Sequence, residues 1–488
     1  MRGRCEYTVT YAGNSMTIPN WAKKHRKPKT EIKAIGGRFY VYEVSSVWDS
    51  ERKVSRKVSG KLLGKITKEH GFVERREYQK QKIKLPVRSK EYGATELFHQ
   101  LMGECVRELQ ELFPQEWEQI VISSYARLLH RSALKNIELH YDHSFLSELY
   151  PQASVGSKVI GTTIQVLGKK REQIRKYFKS IKNAGELILI DGTNILTNSA
   201  ASLAEIGYNS THTYKPQVNL LYMFDIKLQS PVYYRLVAGN VREVKSFKLS
   251  LKESGLSNAV IVADKGFYSK NNIQELDDNK LSYIIPLQRS SSLIDYAALL
   301  PLDKRKMSGY FTYAKRTIWY FSSEKVTLFL DEELKIAEER DYLNRIVTVP
   351  EDYSIEQFHE KQHIFGTMAI ISNIENISKE TLYCQYKSRA SIEQLFDSFK
   401  NLLEADRTYM RTDDGLEGWM FINFIALSWY YKIYARLLDK QLLSKFSVND
   451  VLERANKIKK ISINDEWFTS EITSKSQKLL ADLGCPIT

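Results

Sequence analysis

The sequence predicts a multidomain protein of the α/β class, and three observations carry that prediction. Short apolar runs bounded by turn residues alternate with helical periodicity between Leu187 and Leu287, as in a mixed sheet flanked by helices. Upstream, Leu97, Leu101, Met102, Cys105, Leu109 and Leu112 recur at helical spacing. The positive charge sits at one end, because residues 1–90 hold 23 Lys/Arg against 8 Asp/Glu while the rest hold 49 against 50. A chain of 488 residues is too long for one core, and the changes of texture suggest boundaries at 1–90 (a basic module), 91–183 (helical), 184–288 with 378–440 (core), 289–377 (a β-rich insertion) and 441–488.

In the basic segment, Arg38 to Trp48 is rich in β-branched and aromatic residues. A polar turn at Asp49 to Lys53 and a second strand from Val54 complete a hairpin. Ala94 to Phe113 forms a helix stopped by Pro114, and another begins near Trp117. The texture changes at Glu186, where the run Leu187 to Ile190 ends in Asp191-Gly192, a buried strand entering a turn. Strands follow at Gln217 to Asp225 and Val232 to Val237, then a helix from about Val244 closed by Gly255. A strand at Ala259 to Ala263 ends in Asp264, and after a short helix another runs from Leu281 to Leu287.

Three strands followed by alternating helix and strand resemble the ribonuclease-H-like fold. The helix due next in that fold is delayed by residues 289–377, which read as an inserted domain with strands at Tyr310 to Tyr313, Thr317 to Phe321, Val326 to Leu330 and Thr367 to Ile371. Ser378 is then an N-cap for a helix reaching about Glu404, and Gly418 to Leu438 supplies a second core helix.

Composition excludes several function classes. Cys5, Cys105, Cys384 and Cys485 form no CxxC pair, which argues against a zinc knuckle or a disulfide framework and for a reducing compartment. The uncharged apolar run Gly418 to Tyr431 is too short for a spanning helix, and the first residues lack the apolar segment of a signal peptide, so no membrane association is expected. A terminal segment carrying the whole excess charge suits a polyanion, of which nucleic acid is the commonest. Its densest run is Lys23, Lys24, Arg26, Lys27 and Lys29.

The chemistry concentrates in Tyr386 to Lys400. Tyr386, Arg389, Glu393 and Lys400 stand at offsets that a continuous helix turning about 100° per residue places on one face, within roughly 60° of one another. Alone, such a Glu among cations is a solvated ion-pair ladder. Asp191 and Asp264 alter that reading, since each follows an apolar strand, where open sheets present ligand-binding groups, although either one alone is ordinary turn chemistry. Three carboxylates from two strand ends and one helix suit hard divalent cations. Two such ions serve in-line phosphodiester displacement.

These residues resemble the DDE transposases of bacterial insertion sequences, in the IS-four-like branch with a YREK signature and its sixteen-thirty-four-like subgroup. The resemblance rests on Tyr386, Arg389, Glu393 and Lys400 in the pattern YxxRxxxExxxxxxK, on Asp264-Lys265-Gly266-Phe267 in DxGF, and on Asp191-Gly192-Thr193. It implies metal-dependent strand cleavage and strand transfer, with Asp191, Asp264 and Glu393 as ligands of two Mg²⁺ ions that Mn²⁺ can replace. It further implies phosphate contacts from Tyr386, Arg389 and Lys400, double-stranded DNA partners (element ends with their terminal inverted repeats, and target), a homodimer or higher assembly, and a prokaryotic cytoplasm near the nucleoid. Trp319, in the insertion, is a candidate to stack on a flipped base, against the commoner role of a core residue.

Other residues compete. His359-Glu360-Lys361-Gln362-His363 satisfies the HExxH zinc pattern, but its helix is short, polar and ended by Gly366, with no third ligand evident. His140 and His143 read as surface or satisfied core histidines. Asp397 and Asp406 are alternatives for the third carboxylate.

Overall fold

The computed structural model describes residues 17–50, 52–75, 87–181, 187–209, 213–241, 246–297, 299 and 304–488. Cys5, Glu186 and Val244 lie outside the described residues. The chain divides into two compact units, Met1–Leu85 and Pro86–Thr488.

The first unit is a four-stranded antiparallel sheet, β1 (Thr30–Ile35), β2 (Arg38–Asp49), β3 (Val54–Thr67) and β4 (Gly71–Glu74), in that spatial order. The hairpin expected around Asp49 to Lys53 is β2–β3. A short helix, Asn20–Lys23, adds Ala22 to a core of Ile32, Val41 and Ile66, edged by Trp21, Phe39 and Phe72. Much of β2 and β3 is therefore exposed, and basic side chains decorate it.

In the second unit β5 (Val87–Glu91) opens a run of helices that includes Gly93–Leu112, Trp117–His130, Ser157–Lys169 and Arg171–Ser180. The large mixed sheet follows: β6 (Leu187–Thr197), β7 (Glu205–Tyr208), β8 (Tyr214–Asp225), β9 (Ser230–Ala238), β10 (Val260–Ala263), β11 (Ser282–Pro286), β12 (Gly309–Tyr313), β13 (Arg316–Ser322), β14 (Val326–Asp331), β15 (Thr367–Ser372) and β16 (Arg407–Thr408). Its order is β12-β13-β14-β15-β11-β10-β6-β8, with β7 and β9 sharing the outer edge of β8 and β16 joining β6. β10 runs parallel to β6 and β11 to β10, whereas β8 and β9 are antiparallel additions on the other side.

Three expectations need correction. The strands of 289–377 are not a separate inserted domain, because β15 pairs directly with β11 and extends the same sheet outwards. Val87–Glu91 does not belong with the basic module, since β5 pairs with β17 (Lys459–Ile463), which forms a hairpin with β18 (Glu466–Thr469) near the C-terminus. The helix from Ser378 is not continuous to Glu404: Lys379–Lys387 and Ala390–Asp397 are separate helices, and Ser398–Leu402 forms a π-turn.

The uncharged run lies in a 27-residue helix, Asp413–Asp439, buried nearly all round. Phe424 packs on Tyr222 and Tyr234 of the sheet, while Phe421 meets Phe113 and Trp429 meets Phe98 from the N-terminal helices. This helix is thus the common core of the sheet and the upstream helices. Gly418 makes that possible, because a Cβ there would lie 2.0 Å from the Ile164 carbonyl oxygen.

Candidate active site

Asp191 is not at a strand end. β6 continues to Thr197, held by its ladder to β8 from Ile188↔Asp225 through Asp191↔Tyr222 to Leu196↔Gln217. The opposite edge of β6 pairs with β10 only as far as Ile190↔Ala263, and with β16 only at Leu196 and Thr197. An open stretch of edge begins at Asp191, where Asp264 leaves β10 for a 3-10 turn, Lys265–Phe267. The parallel register therefore brings two acids 73 residues apart side by side, whatever the turn chemistry of each.

The break after Lys387 places the third element. Ser388 and Arg389 keep right-handed backbone but interrupt the helix, and Glu393 sits in the first turn of Ala390–Asp397. Arg389 faces inward and touches all three acids: Nη2 lies 2.7 Å from Asp191 Oδ2, and Nη1 lies 3.7 Å from Asp264 Oδ1 and 3.6 Å from Glu393 Oε1. The side chain of Asp191 is 15% exposed and that of Glu393 is 64% exposed, so the cluster grades from interior to solvent.

Electrostatics follow from that gradient. Burial pushes the Asp191 carboxyl above the ordinary aspartate value, while Arg389 and the Gly192 N–H, which donates to Oδ1 at 2.8 Å, pull the other way. Burial also works against the Arg389 charge, but the neighbouring aspartates outweigh it and hold the guanidinium above its usual range. Tyr386 is half-buried near Arg389, Asp264 and Glu393, and its phenol is raised, chiefly by burial, so it remains a neutral hydroxyl. Lys400, on the π-turn, is half-buried and its ammonium is lowered by burial, with Asp406 opposing. The trio's ion-pair partner is Arg389 rather than Lys400.

Among the described residues, no three carboxylate, imidazole or thiol side chains stand as a ready-made metal cage. Instead a cation of the chain itself gathers the three acids. Its contacts show that one positive centre reaches oxygens from all three, and an all-carboxylate donor set is what Mg²⁺ or Mn²⁺ prefers.

The remaining candidates lie elsewhere. Asp397 accepts from Asn401 Nδ2 at 2.5 Å, and Asp406 lies 3.7 Å from Arg407. His359 is in the helix Ile355–Lys361 but His363 is beyond its end, packed on Tyr296, so the HExxH pair does not share a helix face. His140 stacks on His130 with centroids 4.1 Å apart, and His143 Nδ1 contacts the Leu139 carbonyl at 2.8 Å. Trp319 on β13 packs against Tyr310 under the Lys304 ammonium, and the three strands between β13 and β10 put about 19 Å between them. Lys23, Lys24, Arg26, Lys27 and Lys29 are all exposed on the first unit, at the helix Asn20–Lys23 and the turn after it.

The sequence reading missed the groove beside the acids. A cavity of about 580 Å³ is lined by Asp191 and Asp264, and also by Thr193, Asn219, Tyr208 and Tyr214. No periodic pattern marks these residues, and the β6–β8 and β7–β8 pairings assemble them.

The family profile described as "Transposase DDE domain" matches residues 182–429, just over half of the 488 residues. No curated protein matches the chain. Among solved structures, the chain is similar to the cryo-EM structure of the piggyBac transposase synaptic complex with hairpin DNA, at 10% identity and a TM-score of 0.40, covering 75% of this chain and 79% of that one.

Proposed function

The chain belongs to the transposase DDE domain family, and from that premise we propose that Asp191, Asp264 and Glu393 are its catalytic carboxylates. As a DDE transposase it is a phosphoryl-transfer enzyme acting on DNA. The observation that carries the assignment is the contact of one guanidinium with all three acids. We read the order β9-β8-β6-β10-β11, with β6, β10 and β11 parallel, as a ribonuclease-H-like core widened by β12–β15.

Asp191, Asp264 and Glu393 would hold the divalent ions, Mg²⁺ with Mn²⁺ as a substitute. When bound, such a pair of ions supplies activation of the attacking oxygen and stabilisation of the leaving oxygen in an in-line displacement. The protein's own residues do the rest. The β6–β8 ladder and the β10 register fix the two aspartates, whereas Glu393, on a short solvent-facing helix, can adjust. Arg389 can exchange carboxylate oxygens for those of a phosphate, a planar fork suiting either. Tyr386 keeps its proton and can donate it in a hydrogen bond to the same phosphate. Lys400 is a third phosphate contact, and the basic first unit grips duplex backbone.

In this reading the enzyme cleaves and joins the ends of an insertion sequence of the YREK branch. It binds terminal inverted repeats as a homodimer or higher assembly in a prokaryotic cytoplasm. A nicking assay on DNA from the ends of the native element, with Mg²⁺ or Mn²⁺, tests it. Asp191→Asn and Glu393→Gln should each lower cleavage on the order of a hundredfold or more while leaving DNA binding. Asp397→Asn should cleave normally. Cleavage by Asp191→Asn at the wild-type rate would end the assignment.

A further inference from the structure

The groove that contains Asp191 and Asp264 has an aromatic wall as well as an acidic one. Tyr208 ends β7 and Tyr214 begins β8; they are direct cross-strand partners, with ring centroids 5.3 Å apart and planes inclined at 57°. Both line the catalytic cavity, yet they are 58% and 74% exposed, so the rings offer faces to solvent rather than to the core. Next along β8, Lys215 lines a separate cavity of about 250 Å³ with Arg407 and Tyr409, the last 81% exposed. Exposed rings beside a strand-cutting site match what an unpaired nucleic-acid strand needs, π-faces for its bases. A duplex offers no such base faces, because its own stack covers them.

We infer that Tyr208 and Tyr214 form a stacking platform for an unpaired base of the DNA strand in the catalytic groove. The inference rests on the catalytic reading of Asp191 and Asp264, and it assigns this end of the groove to single-stranded DNA. The platform favours ends that are frayed or opened before cutting.

Binding without divalent metal tests it, so that cleavage plays no part. The full chain is titrated with two short probes that share one strand, which carries 2-aminopurine near its end, paired in one probe with its full complement and in the other with a strand mismatched there, so that the labelled arm is unpaired in the fork. The wild type should prefer the fork by about tenfold and quench the probe's fluorescence, the scale of one stacked base. Tyr208→Ala with Tyr214→Ala should abolish both effects while leaving affinity for the paired probe unchanged and the far-ultraviolet circular dichroism that of a folded chain. Tyr214→Phe should retain the preference, because stacking needs the ring and not the hydroxyl. Undiminished fork preference in the double variant would overturn the proposal, and so would equal loss in Tyr214→Phe. Failure of the catalytic reading shows separately, as wild-type cleavage by Asp191→Asn.

Discussion

Arg389 donates to Asp191 at 2.7 Å across 198 residues of chain, and the same guanidinium lies within 3.7 Å of Asp264 and Glu393. Three carboxylates at one point repel one another, and Asp191 is in addition poorly hydrated. The arginine offsets both costs, and under the proposed function it competes with a metal cation for the same acids.

Arg389→Gln should therefore destabilise the metal-free protein by about 2 kcal/mol, as expected for a largely buried carboxylate stripped of its partner. Chemical denaturation in the presence of a chelator measures it. The same variant should bind Mn²⁺ about tenfold more tightly, followed by the electron paramagnetic resonance of free Mn²⁺, because the ion no longer displaces a resident charge. Equal Mn²⁺ affinities would show that the guanidinium does not compete for the acids.

Close packing between Ser157–Lys169 and Asp413–Asp439 depends on glycine. A Cβ on Gly418 would meet the Ile164 carbonyl oxygen at 2.0 Å, and backbone cannot yield as a side chain can. Gly418→Ala should cost about 3 kcal/mol. Gly161 lies in the same upstream helix with nothing within 4 Å of its would-be Cβ. Gly161→Ala should stabilise by about 0.5–1 kcal/mol through helix propensity alone. Urea unfolding of the two variants separates them by sign.

Glu91 ties β5 to both ends of the second unit, with Oε2 3.0 Å from His130 Nε2 and Oε1 3.3 Å from Lys459 Nζ. Burial pushes this carboxyl up, but His130 and Lys459 outweigh it, so it is held below the ordinary 4.5. An acid whose folded value is depressed adds stability above its unfolded value and loses it as pH falls through the folded one. Glu91→Gln should thus cost about 2 kcal/mol at neutral pH, and the deficit should shrink as pH falls below the ordinary 4.5 and through the lower folded value. Thermal melts across pH check this, and a deficit independent of pH would assign Glu91 a packing role instead.

What the sequence disclosed divides along physical lines. Leu187 to Ile190, Ala259 to Ala263 and Leu281 to Leu287 were legible as strands because burial on both faces leaves an apolar run. Gly192–Thr197 carries no such run; it is strand because β8 supplies a ladder, which no local pattern announces. β7 and β16 likewise exist through pairing alone. The break at Ser388–Arg389 has no proline or glycine to signal it, and it changes what the YREK spacing means. A continuous helix would have lined up Tyr386, Arg389, Glu393 and Lys400, whereas the interrupted one turns Arg389 into the acids and leaves Lys400 beside Asp406. Residue type and strand order single out the three acids that the proposed function uses, but the arginine among them depends on three elements meeting.

The basic run of the first unit gives the last test. Lys23, Lys24, Arg26, Lys27 and Lys29 are exposed, and their backbone is fixed independently of their charge: the Thr30 hydroxyl donates to the Lys27 carbonyl at 2.7 Å and accepts from its N–H at 3.0 Å. Lys27 also lays its ammonium 4.6 Å from the centre of the Phe72 ring, so glutamine, which keeps the stem, is the better replacement. If these side chains neutralise phosphates, changing all five to Gln should weaken binding to duplex DNA of any sequence. It should also flatten the slope of log affinity against log salt by about 0.9 for each phosphate no longer neutralised, up to about 4 in total. Fluorescence anisotropy from low to moderate salt measures that slope. A weaker affinity with the slope unchanged would mean that folding, not charge, had been damaged, and an unchanged affinity would place the DNA-binding surface on other residues.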